Sequence, residues 1–339
     1  MARLKVTSWN IEHMRKLFVT EGSQTKLKRI KRRREQIAKE MLDLDADVFC
    51  LLETTNKTDD VKTFCADDLG GAYVLVEDGP DEPRQRGTQW IRFLVKPGLA
   101  GEASMLPRAA YTDFAGDKWT VNYWGDFEEE SHRHYRHPQV LVLNWLGQRI
   151  EMIGLHLKSK FVRMGQSDWN AGGARQQKFI QAAIKARIKL TTEAANVRAY
   201  IDAKFEQTAS PNILVMGDLN DGPGKELFER QYLFFDLISN IQGDVFFANR
   251  FLNHALFDFP EHLRWTVDFN DFVDPARNPH ILLDHILFTQ SLVDGSQPFK
   301  INSGGGLVEH EVHELTNAGQ PQYAHTSDHR PVSVVMEGV

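Results

Sequence analysis

The sequence is short of cysteine, of long apolar runs and of net positive charge, and each shortage excludes something. Two cysteines in 339 residues, Cys50 and Cys65, cannot make a disulfide framework. Cys50 lies inside an apolar run and reads as a small buried hydrophobe. The longest apolar runs, such as Val48 to Leu52, fall far short of the roughly 18–20 residues a membrane span needs. Forty Lys and Arg stand against 46 Asp and Glu, a net charge of −6, so no overall basic field holds a polyanion. Any nucleic-acid affinity must come from local patches or from bound metal. The start of the chain, Met1 to Val6, runs straight into strand-like sequence without an apolar signal core, so a cytoplasmic, reducing environment is the expectation.

What is present is a soluble α/β composition. A chain this long buries about three quarters of its unfolded surface and needs no structural metal to fold. Strands are predicted at Arg3–Ile11, Asp45–Glu53, Tyr73–Glu77, Trp90–Val95, Val140–Trp145, Ile150–His156, Ile213–Gly217, Ile281–Thr289 and Pro331–Glu337. Apolar residues at helical spacing predict helices over Thr25–Leu44 and Gly173–Phe205. Loops are expected at Gly79–Gly87, Gly165–Gly173, Gly222–Gly224 and Ser303–Gly306. With no repeat and no Pro, Gly or Ser-rich linker, residues 1–339 are expected to form one domain, with a helical segment at about 173–206.

Six strand-like segments end in polar, acidic or imidazole residues: Trp9-Asn10, Leu52-Glu53, Leu155-His156, Gly217-Asp218-Leu219-Asn220, Leu283-Asp284-His285 and Ser327-Asp328-His329. Ligands gather where the strands of an α/β sheet end, so these groups can converge. Carboxylate and amide oxygens without thiolates suit Mg²⁺ or Mn²⁺, not a closed zinc site. A hard cation beside imidazoles is what phosphoester hydrolysis requires.

In order along the chain, Trp-Asn-Ile (9–11), Leu-Leu-Glu-Thr (51–54), His-Leu-Lys-Ser-Lys (156–160), Gly-Asp-Leu-Asn-Asp (217–221), Leu-Asp-His-Ile-Leu (283–287) and Ser-Asp-His-Arg-Pro-Val (327–332) resemble the endonuclease/exonuclease/phosphatase superfamily. The resemblance spans residues 4 to 336. It implies the deoxyribonuclease I-like α/β fold, a four-layer sandwich of two packed mixed β-sheets flanked by helices. It implies Glu53 as the principal Mg²⁺ or Mn²⁺ ligand, with Asn10 on the metal or the phosphate. Asp218 is similar to the residue that orients or deprotonates water, and Asn220 to the one that holds the scissile phosphate. His329 resembles the phosphate-bonding histidine and Asp284 the acid that holds it. Asp328 is implied at a second metal or at the phosphate. His156 and Arg136 match groups of the deoxyribonuclease branch. Lys158 and Lys160, which follow His156, are placed to meet phosphate. Two departures stand out: Leu52 precedes the acid where Gln is frequent, and Gln89 falls where deoxyribonuclease I has an acid.

Taken singly, each segment has a plainer explanation; Gly-Asp-Leu-Asn-Asp alone is an ordinary strand-to-turn transition. His285 is expected to face away from Asp284 and Asp221 to cap a turn. The basic run Lys26–Arg34 is expected as the solvated face of an outer helix, with Arg175, Lys178 and Lys185 a fallback DNA-facing stripe. His132–His137 lacks cysteine partners for zinc, Glu309–Glu314 is expected as a polar surface segment, and Gly304–Gly306 as a turn.

The expected activity is metal-dependent hydrolysis of nucleic acid, DNA above all, by a monomer with no membrane partner. A phosphatase or phosphodiesterase for a small or lipid-borne phosphoester is the alternative, although no apolar docking loop is evident. A catalytically silent binding module is disfavoured, because five costly polar groups remain at the expected centre.

Overall fold

A computed structural model describes residues 2–79, 85–123, 129–232 and 236–339. The expected loop Gly79–Gly87 lies in part outside them. Two six-stranded sheets carry the architecture. The twelve strands, in chain order, are β1 (Arg3–Asn10), β2 (Val48–Thr54), β3 (Val74–Val76), β4 (Trp90–Val95), β5 (Ala103–Met105), β6 (Gln139–Trp145), β7 (Gln148–His156), β8 (Ile213–Asp218), β9 (Asn253–His254), β10 (Asp284–Phe288), β11 (Phe299–Val308) and β12 (Val332–Gly338). One sheet has the order β11-β12-β1-β2-β4-β3 and the other β9-β10-β8-β7-β6-β5. Both are mixed, with one parallel pair near the middle of each, β1 with β2 and β7 with β8.

Alternation of side chains gives each sheet two apolar faces, which explains the four layers. Inner faces meet in one core, where Val6, Cys50 and Phe93 pack with Met152, Leu214 and Ile286. On the outer face of the first sheet, Trp9, Phe49 and Leu51 pack with Ile37 and Met41 of α1 (Gln24–Leu44). Across the molecule, Ile153, Leu155 and Val215 pack with Leu190, Val197 and Ile201 of α2 (Gly173–Gln207). Ser23 caps α1, its hydroxyl accepting from the Lys26 N–H, and the basic run lies mostly on the solvent side. Arg33 departs from that face, donating to the carbonyls of Ile11, Glu12, His325 and Thr326.

Two regions differ from expectation. Ser303–Gly306 is not a loop but part of edge strand β11, whose register against β12 slips between Ile301 and Gly306. Glycine lowers strand propensity and hid it, yet a Cβ on Gly306 would lie 2.0 Å from the Ala255 carbonyl oxygen, so the strand needs it. Glu309–Glu314 is only in part a surface segment: His310–Asn317 forms a helix that exposes Glu311 and Glu314 but buries His313, whose Nδ1 lies 2.8 Å from the buried Glu40. Among the described residues no helix is long and apolar enough to cross a membrane. Val245, Phe246 and Phe247 are exposed in a row at the start of a short 3₁₀ helix, an apolar patch that the sequence pattern did not single out.

Candidate active site

Strand direction brings the functional groups to one edge of the sandwich. In the second sheet, Asp218 pairs in register with His156 on one side and with Asp284 on the other, so the ends of β7 and β8 and the start of β10 line up. In the first sheet Asn10 ends β1 opposite Leu52 on β2, placing Glu53 one residue beyond. The two sheets are joined where Asn10 Nδ2 donates to Asp218 Oδ2 at 3.2 Å.

Local backbone devices aim these side chains. The β2–β4 register shifts between Leu51 and Thr54, and Glu53 at this bulge has φ of 57°. Asn220 has φ of 53°, a region that Asn tolerates better than most residues. Gly217, with φ of 141°, lies so close to β7 that a Cβ would sit 1.9 Å from the Leu155 carbonyl oxygen. Only glycine lets Asp218 lie alongside His156.

Hydrogen bonds fix the rest. Asn220 N–H donates to Asp218 Oδ1 at 2.8 Å, and Asn220 Nδ2 donates to the Leu157 carbonyl at 3.0 Å. His329 Nδ1 is 2.6 Å from Asp284 Oδ2, and the Trp9 indole N–H donates to the His329 carbonyl at 2.9 Å. The Thr266 hydroxyl oxygen accepts from Asp284 N–H, and Asp284 Oδ1 is buried without a partner among the described residues. Arg136 donates to the Leu157 carbonyl at 3.1 Å and to Gln89 Oε1 at 2.8 Å. Gln89 thus tethers Arg136, not His156, whose buried Nδ1 has no partner among the described residues. His156 Nε2 lies 3.5 Å from Asp218 Oδ2.

Burial and neighbouring charge then separate the two histidines. Burial, reinforced by the positive charge of Arg136, holds His156 well below the ordinary imidazole range, so it is neutral. Burial alone would lower His329 as well, but the charge and hydrogen bond of Asp284, with Asp218 and Asp328 beyond, push it up to about 10. Burial raises Asp218 to about 6, with Asp284 adding to the rise and His329 opposing it. One neutral imidazole, one imidazolium and one carboxylate balanced near neutrality therefore share a few ångströms.

Of the expected groups, Asn10, Glu53, Arg136, His156, Asp218, Asn220, Asp284 and His329 come together. Lys158 lies beside them, its Nζ donating to the Ser159 carbonyl at 2.6 Å. Asp328 is exposed, one residue before His329. Lys160 does not meet this centre: its ammonium is locked to Asp221 and to Glu229, because a buried cation needs paired carboxylates. Asp221 is accordingly an ion-pair partner as well as an acceptor from Leu237 N–H. His285 turns away into the interior as expected, against His254 and the Asp221 carbonyl.

Sequence reasoning missed two residues. His13, with φ of 60°, offers its backbone N–H and its Nδ1 to Glu53 Oε2 at 3.0 and 2.8 Å. Glu193 of α2 is buried, accepts from Lys158 N–H at 2.8 Å and meets His132 Nε2 at 2.9 Å. The only signal for His13 was its closeness to Asn10; for Glu193 there was none, since the contact spans 35 residues or more.

Glu53 and Asn10 are oxygen donors, and among the described residues no three His, Cys, Asp or Glu side chains are grouped to hold a metal ion. That donor set fits a hard ion that keeps most of its water, as Mg²⁺ does, and not a zinc cage. His132 and His134 are occupied by Glu193 and Asn196 rather than by each other.

A sandwich of two mixed sheets, with acids, amides and imidazoles gathered at one edge, defines a phosphoester hydrolase with the deoxyribonuclease I-like fold. The chain belongs to the Endonuclease/Exonuclease/phosphatase family, whose model matches residues 7–329. No curated protein matches it by sequence. Among solved structures it is similar to TDP2 from D. rerio complexed with single-strand DNA product, at 12% identity, covering 99% of this chain and 100% of that one, with a TM-score of 0.52. It is equally similar to a mannosyl-6-phosphatase from Bacteroides thetaiotaomicron, at 15% identity, covering 99% of each chain, with a TM-score of 0.52. A family protein from the same organism matches at 15% identity and a TM-score of 0.51, covering 99% of this chain and 97% of that one. Members of this family generally depend on a divalent metal.

Proposed function

We propose that the protein is a Mg²⁺- or Mn²⁺-dependent phosphodiesterase that hydrolyses nucleic acid, DNA in particular. The observation that carries this reading is a cavity of about 430 Å³ beside the strand-end cluster, lined by Arg86, His132, Arg133, Arg136, Lys158 and Lys189 among others. It shares Arg136 with the centre, and Arg86 and Lys158 carry positive charge away from it, while Lys189, His132 and Arg133 are paired with Glu130, Glu193 and Asp117. A lone phosphate needs no such extension, whereas a backbone carrying further phosphates does. The net charge of −6 makes this local patch the more telling. The structural similarity to a TDP2 crystallised with single-strand DNA agrees with this choice.

In this mechanism Asn10, Asn220, Arg136 and His156 surround the scissile phosphate. His329 donates a hydrogen bond as the imidazolium to a phosphoryl oxygen, and Asp284 holds its ring and charge. Asp218 orients the attacking water and accepts its proton as the new P–O bond forms and the ester P–O bond opposite breaks. A carboxylate near 6 suits that task, because a base works best close to the operating pH. Glu53, with Asn10, would hold the metal, which supplies charge neutralisation at the phosphoryl and leaving oxygens. His13 steadies the Glu53 carboxylate.

The test is a substrate panel under one metal: single- and double-stranded DNA, RNA, a sugar phosphomonoester and a phospholipid headgroup diester. DNA should give the highest kcat/KM and chelation should abolish it. A monoester preferred over every polynucleotide overturns the nuclease assignment and leaves the small-substrate alternative.

A further inference from the structure

The loops that carry the catalytic groups continue into a second cavity of about 240 Å³, which shares Ser159 with the basic one. Ser159 and Lys160 follow His156, Asp221 and Gly222 follow Asn220, and Leu283 precedes Asp284; all of them line it, as does Asn220 itself. The remaining wall is aromatic. Phe179 and Phe228 are buried in it, their rings 6.3 Å apart, with Phe272 5.9 Å from Phe179. At the lining, Phe161 is 73% exposed and Phe269 52% exposed.

The charges around this cavity are paired among themselves. Lys160 is tied to Asp221 and Glu229, Arg187 to Glu226, and Arg277 lies 3.7 Å from Glu226 and 3.9 Å from Asp271. Three cations thus face four carboxylates, a balance that repels a further phosphate. A sugar ring would require unpaired donors and acceptors for its hydroxyls, and these groups are committed to one another. What remains is a site for a neutral, flat, apolar-faced group bonded close to the scissile phosphate. The volume is below the usual range for whole small-molecule ligands and suits one ring system.

We infer that this cavity receives an unpaired nucleobase of the nucleotide on one side of the scissile phosphate, stacked against Phe161 and Phe269. The inference rests on the nucleic-acid reading above and adds polarity to it: phosphates on the basic side, a base on the aromatic side. It also specifies the substrate, because a base in a duplex has no free face to offer; single-stranded or frayed ends are preferred.

The experiment uses single-stranded oligonucleotides in which one phosphodiester, in an otherwise phosphorothioate backbone, is flanked on either side by thymine or by a base-free residue. For the wild-type protein, removing the base on one side lowers kcat/KM about tenfold, and removing it on the other side does far less. In Phe161→Ala and Phe269→Ala that penalty for base removal disappears, with thermal midpoints held because both rings are exposed. Equal losses on both oligonucleotides in the Phe variants, or no penalty in the wild type, overturn the base site while leaving the nuclease reading intact. Failure of the wild type to cleave any oligonucleotide, with turnover of another phosphoester, removes both.

Discussion

His329 Nδ1 lies 2.6 Å from Asp284 Oδ2, and this pair turns a largely buried loop histidine into a fixed cation at the edge of two sheets. Asp284 is fully buried and its second oxygen has no partner among the described residues, so the imidazole is the one side chain its carboxylate hydrogen-bonds there. Removing the charge while keeping the shape, Asp284→Asn, should lower kcat by about 10²–10⁴-fold. The pH profile separates this from simple disruption. His329 has a folded pKa raised to about 10, so its cation persists through neutral pH and is lost as pH rises through about 10, while the stability it contributes is full below its unfolded value near 6.5. The alkaline limb of kcat/KM in the wild type should follow that loss, and in Asp284→Asn it should move down towards neutrality.

Glu53→Gln should act through the metal. The apparent metal concentration for half-maximal activity should rise at least tenfold, with kcat at saturating metal recovering in part. A metal titration of both proteins reads this directly; an unchanged midpoint removes Glu53 as a ligand.

Gly217→Ala tests the strand geometry without touching a catalytic group. The added methyl must displace the β7 backbone at Leu155, and φ of 141° is closed to alanine. A destabilisation of about 3 kcal/mol or more is expected, measured by denaturant unfolding.

Glu193 gives the acid side of the stability profile. Burial would raise it, but His132 and His134 outweigh burial and lower it to about 2. A depressed carboxylate contributes stability above its unfolded value near 4.5, and that contribution fades as pH falls to about 2. Glu193→Gln should therefore cost several degrees in Tm at neutral pH, with the difference from wild type closing below pH 4. Because Glu193 accepts from Lys158 N–H, KM for DNA should rise in the same variant.

The central architecture was legible because strand-end motifs combine apolar runs with chemistry at a terminus: β1, β2, β7 and β8 carry it at or next to their last residue, and β10 at its first. The same logic located Asn10, Glu53, His156, Asp218, Asn220, Asp284 and His329. It failed where the determinant was not local. Edge strand β11 runs through Gly304 to Gly306, which carry no side chains to show a period, and its need for Gly306 lies in Ala255. Lys160 was expected at the phosphate on proximity to His156, yet buried carboxylates from Asp221 and Glu229 claim it. His13 and Glu193 reach the site through left-handed backbone and a distant helix, which no spacing rule encodes.

That these strand ends act as one catalytic unit is tested most directly by single-turnover DNA cleavage in wild type, Asp218→Asn, His329→Ala and the double variant. Groups that act together on one phosphate should show non-additive losses, the double variant little slower than the worse single one. A wild-type rate retained by Asp218→Asn, or independent losses that multiply in the double variant, contradicts it.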